Sequence, residues 1–171
     1  MSILEIIKKR RSTRDFQEKP ISQEMVEKLI EALIWAPSAG NLQSRKFYFV
    51  FNQEIKEKLS KASLNQMFIA KAPLVIVGCL NKDIKNYYGK RGEDLYAICD
   101  VSASIENMLL VATEMNLEGC WIGAFNENEI SKILNLPKNL RPIVICPIGF
   151  PAQIPSPPPR LPKSKMIEFI R

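Results

Sequence analysis

Five of the 24 basic residues in this chain fall between Lys8 and Arg14, in the run "KKRRSTR". Guanidiniums bind phosphate oxygens in pairs, and a serine hydroxyl with nearby backbone N–H groups can complete such a cradle. Arg10, Arg11, Ser12 and Arg14 are therefore candidates for holding an anion. Read alone, the run is more commonly a solvated charge block. Two loop sequences could bring backbone close to a flat ligand. One is "WAPSAGNLQ" from Trp35 to Gln43, with Pro37, Ser38, Ala39 and Asn41 around a glycine; the other is "GCWIGAF" from Gly119 to Phe125. Either could equally be an ordinary connection or a bulge.

The residues that are missing narrow the chemistry. There is no histidine among the 171 residues, which removes the usual general base, the Ser-His-Asp and Cys-His arrangements, and the common zinc sites. An enzyme of this composition would draw its proton and electron chemistry from a cofactor. Cys79, Cys99, Cys120 and Cys146 are widely spaced among apolar residues and are expected to be small core side chains. The net charge of +6 permits an acidic small molecule or nucleic acid as partner. Aromatic residues do not interleave with basic ones in a stacking platform, so nucleic acid is not expected.

Behind these candidates stand the elements that must hold them. Apolar spacing predicts a short helix around Ile3–Ile7 and a second from Ser22, as N-cap, to Trp35, stopped by Pro37. "KFYFVF" (Lys46 to Phe51) and the continuous apolar run "PLVIVGCL" (Pro73 to Leu80) read as strands, the latter covered on both faces. One helical segment from Gln53 to Ala70 is expected between them. The longest helical pattern, Leu95 to Leu117, places Leu95, Ile98, Ser102, Ile105, Leu109, Ala112 and Met115 on one side. Further apolar residues elsewhere around it suggest deep burial or a partner chain. "ENEISKILNL" reads as a surface helix and "RPIVICPIGF" as the last core strand. Six of the twelve prolines follow from Pro151 onward, so residues 150–171 are expected to form an extended arm. No apolar run suits a spanning helix and no secretory signal is visible, so the expected location is the cytoplasm.

Taken in order, "RRSTRDF", "APSAGN-x-Q", "QMFIAKAPLVIV", "GCWIGAF", "ILNLP" and "PIGFP" resemble the nitroreductase family of flavin enzymes across nearly the whole chain. The resemblance implies one α+β flavin-binding domain over residues 1–171, with a three-layer fold and a central, mostly antiparallel sheet flanked by helices. It implies an intertwined homodimer with FMN at the subunit interface, reduced by NADH or NADPH in a ping-pong cycle that passes electrons to small nitroaromatics, quinones or similar acceptors. By position, Arg10, Arg11 and Ser12 would hold the FMN phosphate and ribityl chain, with Arg160 returning to the phosphate. Arg14 would tune the flavin at the N1–C2=O edge. A cation about 4 Å away, at an effective dielectric near 20, favours the reduced anion by roughly 4 kcal/mol before desolvation. Pro37, Ser38, Ala39 and Asn41 would reach the other subunit's flavin. Gln66 would hydrogen-bond the ring, and Ile122 and Gly123 would pack near it through backbone.

The match departs from the family at two places: Ser44 and Arg45 follow the loop glutamine where many relatives have Pro-Trp, and Pro158 replaces a common lysine. "NKDIKNYYGKRGEDLY" is the only stretch available for a lid, with Tyr87, Tyr88 or Arg91 toward substrate. Other readings are a flavin-binding store or sensor without turnover, or a basic nucleic-acid-binding domain.

Overall fold

The structure is a computed structural model and describes residues 1–171. Four of the seven α-helices begin where a side chain takes up a free N–H group. In α1 (Ile3–Lys9), the Ser2 hydroxyl accepts from Glu5 N–H while the Glu5 carboxylate accepts from Ser2 N–H. In α2 (Gln23–Ile34), Ser22 accepts from the N–H of Met25. Asn52 does the same for α3 (Gln53–Ala62) through Ile55.

Strands β1 (Arg45–Val50), β2 (Leu74–Asn81), β3 (Glu118–Gly119) and β4 (Leu140–Gly149) form one antiparallel sheet in the order β1-β2-β4-β3. The continuous apolar run of β2 follows from its place inside that sheet. Leu74, Ile76 and Leu80 pack on one face with α2 and α6 (Ala97–Glu114). Val75, Val77 and Cys79 pack on the other with α3, α4 (Phe68–Lys71) and α7 (Glu127–Ile133). Alternate side chains thus feed two separate cores, giving helix, sheet and helix layers.

Several local expectations change. The helix expected over Gln53–Ala70 is two, α3 and α4. Leu64 and Asn65 turn left-handed between them, at φ 56° and 57°, and the Ser60 hydroxyl donates to the Gln66 carbonyl, folding the turn back on α3. The long helix starts at Ala97 rather than Leu95, after a π turn over Gly92–Tyr96. Ahead of it, α5 (Lys85–Arg91) is broken at Gly89, whose φ of 59° and ψ of −154° only glycine adopts without strain. By length and composition Lys82–Glu114 could cross a membrane; here Val101, Ile105 and Met108 are fully buried against the sheet.

The buried face of α6 runs through Ala97, Val101, Ser104, Ile105, Met108 and Ala112, so Leu95 is exposed and Ile98 and Ser102 are only half-buried. Cys99 lies two residues from both Ala97 and Val101, faces outward, and is exposed, contrary to the core position expected for it. Cys79, Cys120 and Cys146 are buried and no cysteine is paired. From Pro151 onward no residue is buried and the chain is extended apart from one short turn at Lys163–Lys165.

Candidate functional site

At the C-terminal end of α6 the basic run lies along the sheet. Arg10 leaves α1 with φ −49° and ψ 132°, so the next residues run extended beside β3. Arg11 N–H donates to Glu118 Oε2 at 3.0 Å, and Thr13 N–H to the Gly119 carbonyl at 3.1 Å. Ser12 bridges Gly119 in parallel. Glu118 also accepts the Thr113 hydroxyl at 3.4 Å and is almost fully buried. Burial pushes its carboxyl up from the usual carboxylate range; the Arg11 N–H, the Thr113 hydroxyl and the charges of Arg10 and Lys9 pull the other way.

The arginines of the run are used differently. Arg11 Nη1 donates to the carbonyls of Lys8, Lys9 and Arg10 at 2.6, 3.1 and 2.8 Å, closing the end of α1. No carbonyl or carboxylate engages the guanidiniums of Arg10 or Arg14, and the Ser12 hydroxyl makes no hydrogen bond. Arg14 lies 5.9 Å from the centroid of the Phe68 ring and beside Cys120. Burial raises that thiol's pKa while Arg14 and Arg10 hold it down.

Gln66 Nε2 ties two loops together, donating to the Ser63 and Ala124 carbonyls at 2.9 and 3.2 Å. The Ile122 backbone exchanges two 2.9 Å hydrogen bonds with Ile145, so it is engaged in the sheet. Gly123 is exposed, and a Cβ there would meet nothing within 4 Å. A neighbouring cleft of about 760 Å³ is lined by the carboxylates of Asp15, Glu18 and Glu57 together with the ammoniums of Lys61 and Lys71, so its walls carry both signs of charge.

The second group of candidates lies at the other end of α6. Ala39 N–H donates to Asp100 Oδ1 at 2.9 Å, and Gln43 N–H to the Ser38 hydroxyl at 3.0 Å. Gly40, Asn41 and Gln43 all have φ between 51° and 55°. At Gly40 this favours glycine doubly, because a Cβ would also collide with the Tyr88 hydroxyl. Pro37 and Asn41 are exposed. The rise of α6 from Asp100 to Thr113 is about 20 Å, so the loop does not join the arginine run of its own chain. Arg160 stands on the exposed arm with one hydrogen bond, to the Pro158 carbonyl at 3.4 Å.

These groups fit a phosphorylated planar cofactor: the Arg10 guanidinium and the Ser12 hydroxyl for the phosphate, the Arg14 guanidinium for the edge of a ring, and a backbone at Gly123 with nothing packed against it. The sequence pattern of the nitroreductase family matches residues 7–80 and 64–150. The chain belongs to the nitroreductase family. It is 28% identical to the FMN reductase [NAD(P)H] of Bacillus subtilis (strain 168), across 90% of this chain and 67% of that protein. Nitroreductase A of Vibrio parahaemolyticus superposes with a TM-score of 0.92 at 27% identity, covering 100% of this chain and 77% of the other. The NADPH:FMN oxidoreductase of Vibrio harveyi, solved with NAD+, gives 0.91 at 26% identity, covering 99% and 77%.

For this nitroreductase-family chain, sequence reasoning missed Glu118, Asp100 and Phe68. A buried carboxylate under a cationic run leaves no spacing signature, because its partners are brought in from distant parts of the chain. The glutamate of "LEGC", directly before the glycine that opens "GCWIG", was the one available hint.

Proposed function

We propose that this chain is an FMN-dependent oxidoreductase that draws electrons from NADH or NADPH and reduces nitroaromatics, quinones or similar electron-poor acceptors. Donor and acceptor would use the site in turn, in a ping-pong cycle. The observation that carries the reading is the pair of guanidiniums, Arg10 and Arg14, that no carbonyl or carboxylate of the chain engages, in the run where the exposed Ser12 bridges Gly119. The names of the Bacillus subtilis and Vibrio harveyi relatives support the choice of FMN and of a nicotinamide donor.

FMN, when bound, supplies the two-electron chemistry, accepting hydride from the nicotinamide and reducing the acceptor. Arg10 and Ser12 would hold the phosphate, helped by Arg160, while Arg11 shapes the turn that presents them. Arg14, charged at any working pH, would favour negative charge on the ring, and the carbonyl oxygen of the Gln66 amide is left over for a hydrogen bond to it. Ile122 and Gly123 would form the floor beside the ring. No side-chain base is required of the protein, which accords with a chain lacking histidine.

The separation along α6 supports a homodimer. A second copy turned about a two-fold axis would lay its Pro37, Ser38, Ala39 and Asn41 against the Arg10–Arg14 end of the first, forming two equal sites. The exposed, apolar-tipped arm (Ile167, Phe169, Ile170) would cross to the partner. Each copy would act as one flavin-binding unit, and its unpaired cysteines suit the reducing cytoplasm.

The test is anaerobic. Purified protein should carry the visible absorbance of oxidised flavin, bleach with NADH or NADPH, and recolour on adding a nitroaromatic or quinone. Bound flavin that neither donor bleached would make the protein a flavin store and end the reductase reading.

A further inference from the structure

The arginine at the start of β1 has no part in the site described so far, yet it converges with Asp100, in the first turn of α6, on one loop. Arg45 Nη1 donates to the Pro37 carbonyl at 2.8 Å and to the Asp100 carbonyl at 3.2 Å. Its Nη2 donates to the carbonyls of Ile34 and Ala36 at 3.1 and 2.6 Å. One guanidinium thus covers the C-terminal end of α2, the strip leading into the loop, and the start of α6. Asp100, 4% exposed, grips the same loop through Oδ1 and the Ala39 N–H. Its Oδ2 is buried without a partner. A buried carboxylate oxygen left unpaired is costly and calls for an explanation. Here the fixed positive charge of Arg45 is the offset: burial lowers the Arg45 pKa while the Asp100 charge raises it.

We propose that Arg45 and Asp100 are positioning residues that set the shape of the loop Pro37–Asn41, and through it the hold on flavin across the subunit interface; the flavin part rests on the function proposed above. Arg45 is anchored by strand pairing opposite Leu80 and Asp100 by the buried face of α6. Together they tie the loop to both the sheet and the central helix. A planar fork serves four carbonyls at once, which the single ammonium of a lysine cannot reproduce.

The experiment compares Arg45→Ala, Arg45→Lys, Asp100→Ala and Asp100→Asn as full-length protein, with and without FMN. Hydrogen exchange at the Ala39 amide is read in both states, and the FMN dissociation constant and potential of bound flavin in the loaded state. Arg45→Ala and Asp100→Ala should each speed Ala39 exchange and raise the dissociation constant about tenfold, the loss of one to two hydrogen bonds. The potential should stay at the wild-type value, because Arg14 is untouched. Guanidinium ion, well below denaturing concentrations, should restore Arg45→Ala but not Asp100→Ala. Asp100→Asn, which keeps an oxygen acceptor, should behave as wild type, and Arg45→Lys as Arg45→Ala.

Wild-type exchange at Ala39 in folded Arg45→Ala or Asp100→Ala overturns the clamp, whatever happens to FMN. If Arg45→Ala does not fold, the contrast between Asp100→Ala and Asp100→Asn decides, and equal behaviour of the two overturns the proposal. Wild-type protein that takes up no FMN, yet shows the expected Ala39 exchange in the variants, overturns the proposed function and leaves the clamp standing.

Discussion

The two ends of α6 use arginine in opposite ways. At the Thr113 end, Arg10 and Arg14 present guanidiniums that no carbonyl or carboxylate of the chain engages. At the Asp100 end, Arg45 donates to four backbone carbonyls. Arg11 shows that the division is not one of region alone: next to Arg10, it is turned back on the end of α1. The guanidiniums proposed to meet a ligand have no carbonyl partner, and those that shape the backbone donate to three or four carbonyls each. On the proposed function, the first kind would set affinity and potential, and the second the geometry in which affinity is expressed.

The strongest way to break this comparison is to prevent the two ends from meeting. Deleting residues 152–171 should leave a folded monomer that retains no FMN, since no residue of the arm is buried in its own chain. A truncated protein that sediments as a dimer and stays yellow would show that the arm is not what brings the ends together.

Within the arginine run, Arg10→Ala should weaken FMN binding roughly 10- to 100-fold, the worth of a charge-assisted hydrogen bond, with little change in thermal stability. Arg11→Ala should do the reverse, lowering the unfolding free energy by about 1 kcal/mol through its uncapped carbonyls. Fluorescence titration and calorimetry of both variants sharpen the contrast, and equal effects would erase it. Arg14→Ala should lower the two-electron potential of bound flavin by about 30 mV or more, equivalent to losing about 1.4 kcal/mol of preference for the reduced form. A spectroelectrochemical titration reads this directly.

The smallest effect concerns Glu118. Its carboxyl is raised mainly by burial, so the folded state favours the protonated form. The associated stability is present below the unfolded pKa and is lost as pH rises through the folded one. Glu118→Gln, which keeps an acceptor for Arg11 N–H, should therefore raise Tm at neutral pH, with the gain shrinking as pH falls towards about 4. A gain that instead grew on acidification would show that the cations of the run, not burial, govern this group.

Much of the frame was legible in the residues. Ser22 and Pro37 bracket α2 by capping and by a missing N–H, both local effects. The unbroken apolar run of β2 announced a strand covered on both faces. Less legible were features in which several local options lie close in energy. Leu64 and Asn65 adopt left-handed backbone inside a stretch whose apolar period continues across the turn, so one helix was read where two exist. Cys99 sits among apolar neighbours but on the outward side of α6, because the burial direction is set by what the helix packs on. The site was legible as residue types in order, including Arg10, Ser12, Arg14 and the loop of Pro37–Asn41, but not as a division of labour.

From the residues alone came the absence of any histidine, together with the cationic run, the tight loop and the proline arm. The family follows from their order along the chain. Tertiary structure alone decided which arginines are uncommitted, that Glu118 lies under Arg11 across 107 residues of sequence, and that cations and loop stand at opposite ends of one helix. Such pairings depend on how distant segments close around a shared core. Loop closure varies only slowly with the length of chain between partners, so spacing along the sequence carries almost no record of them.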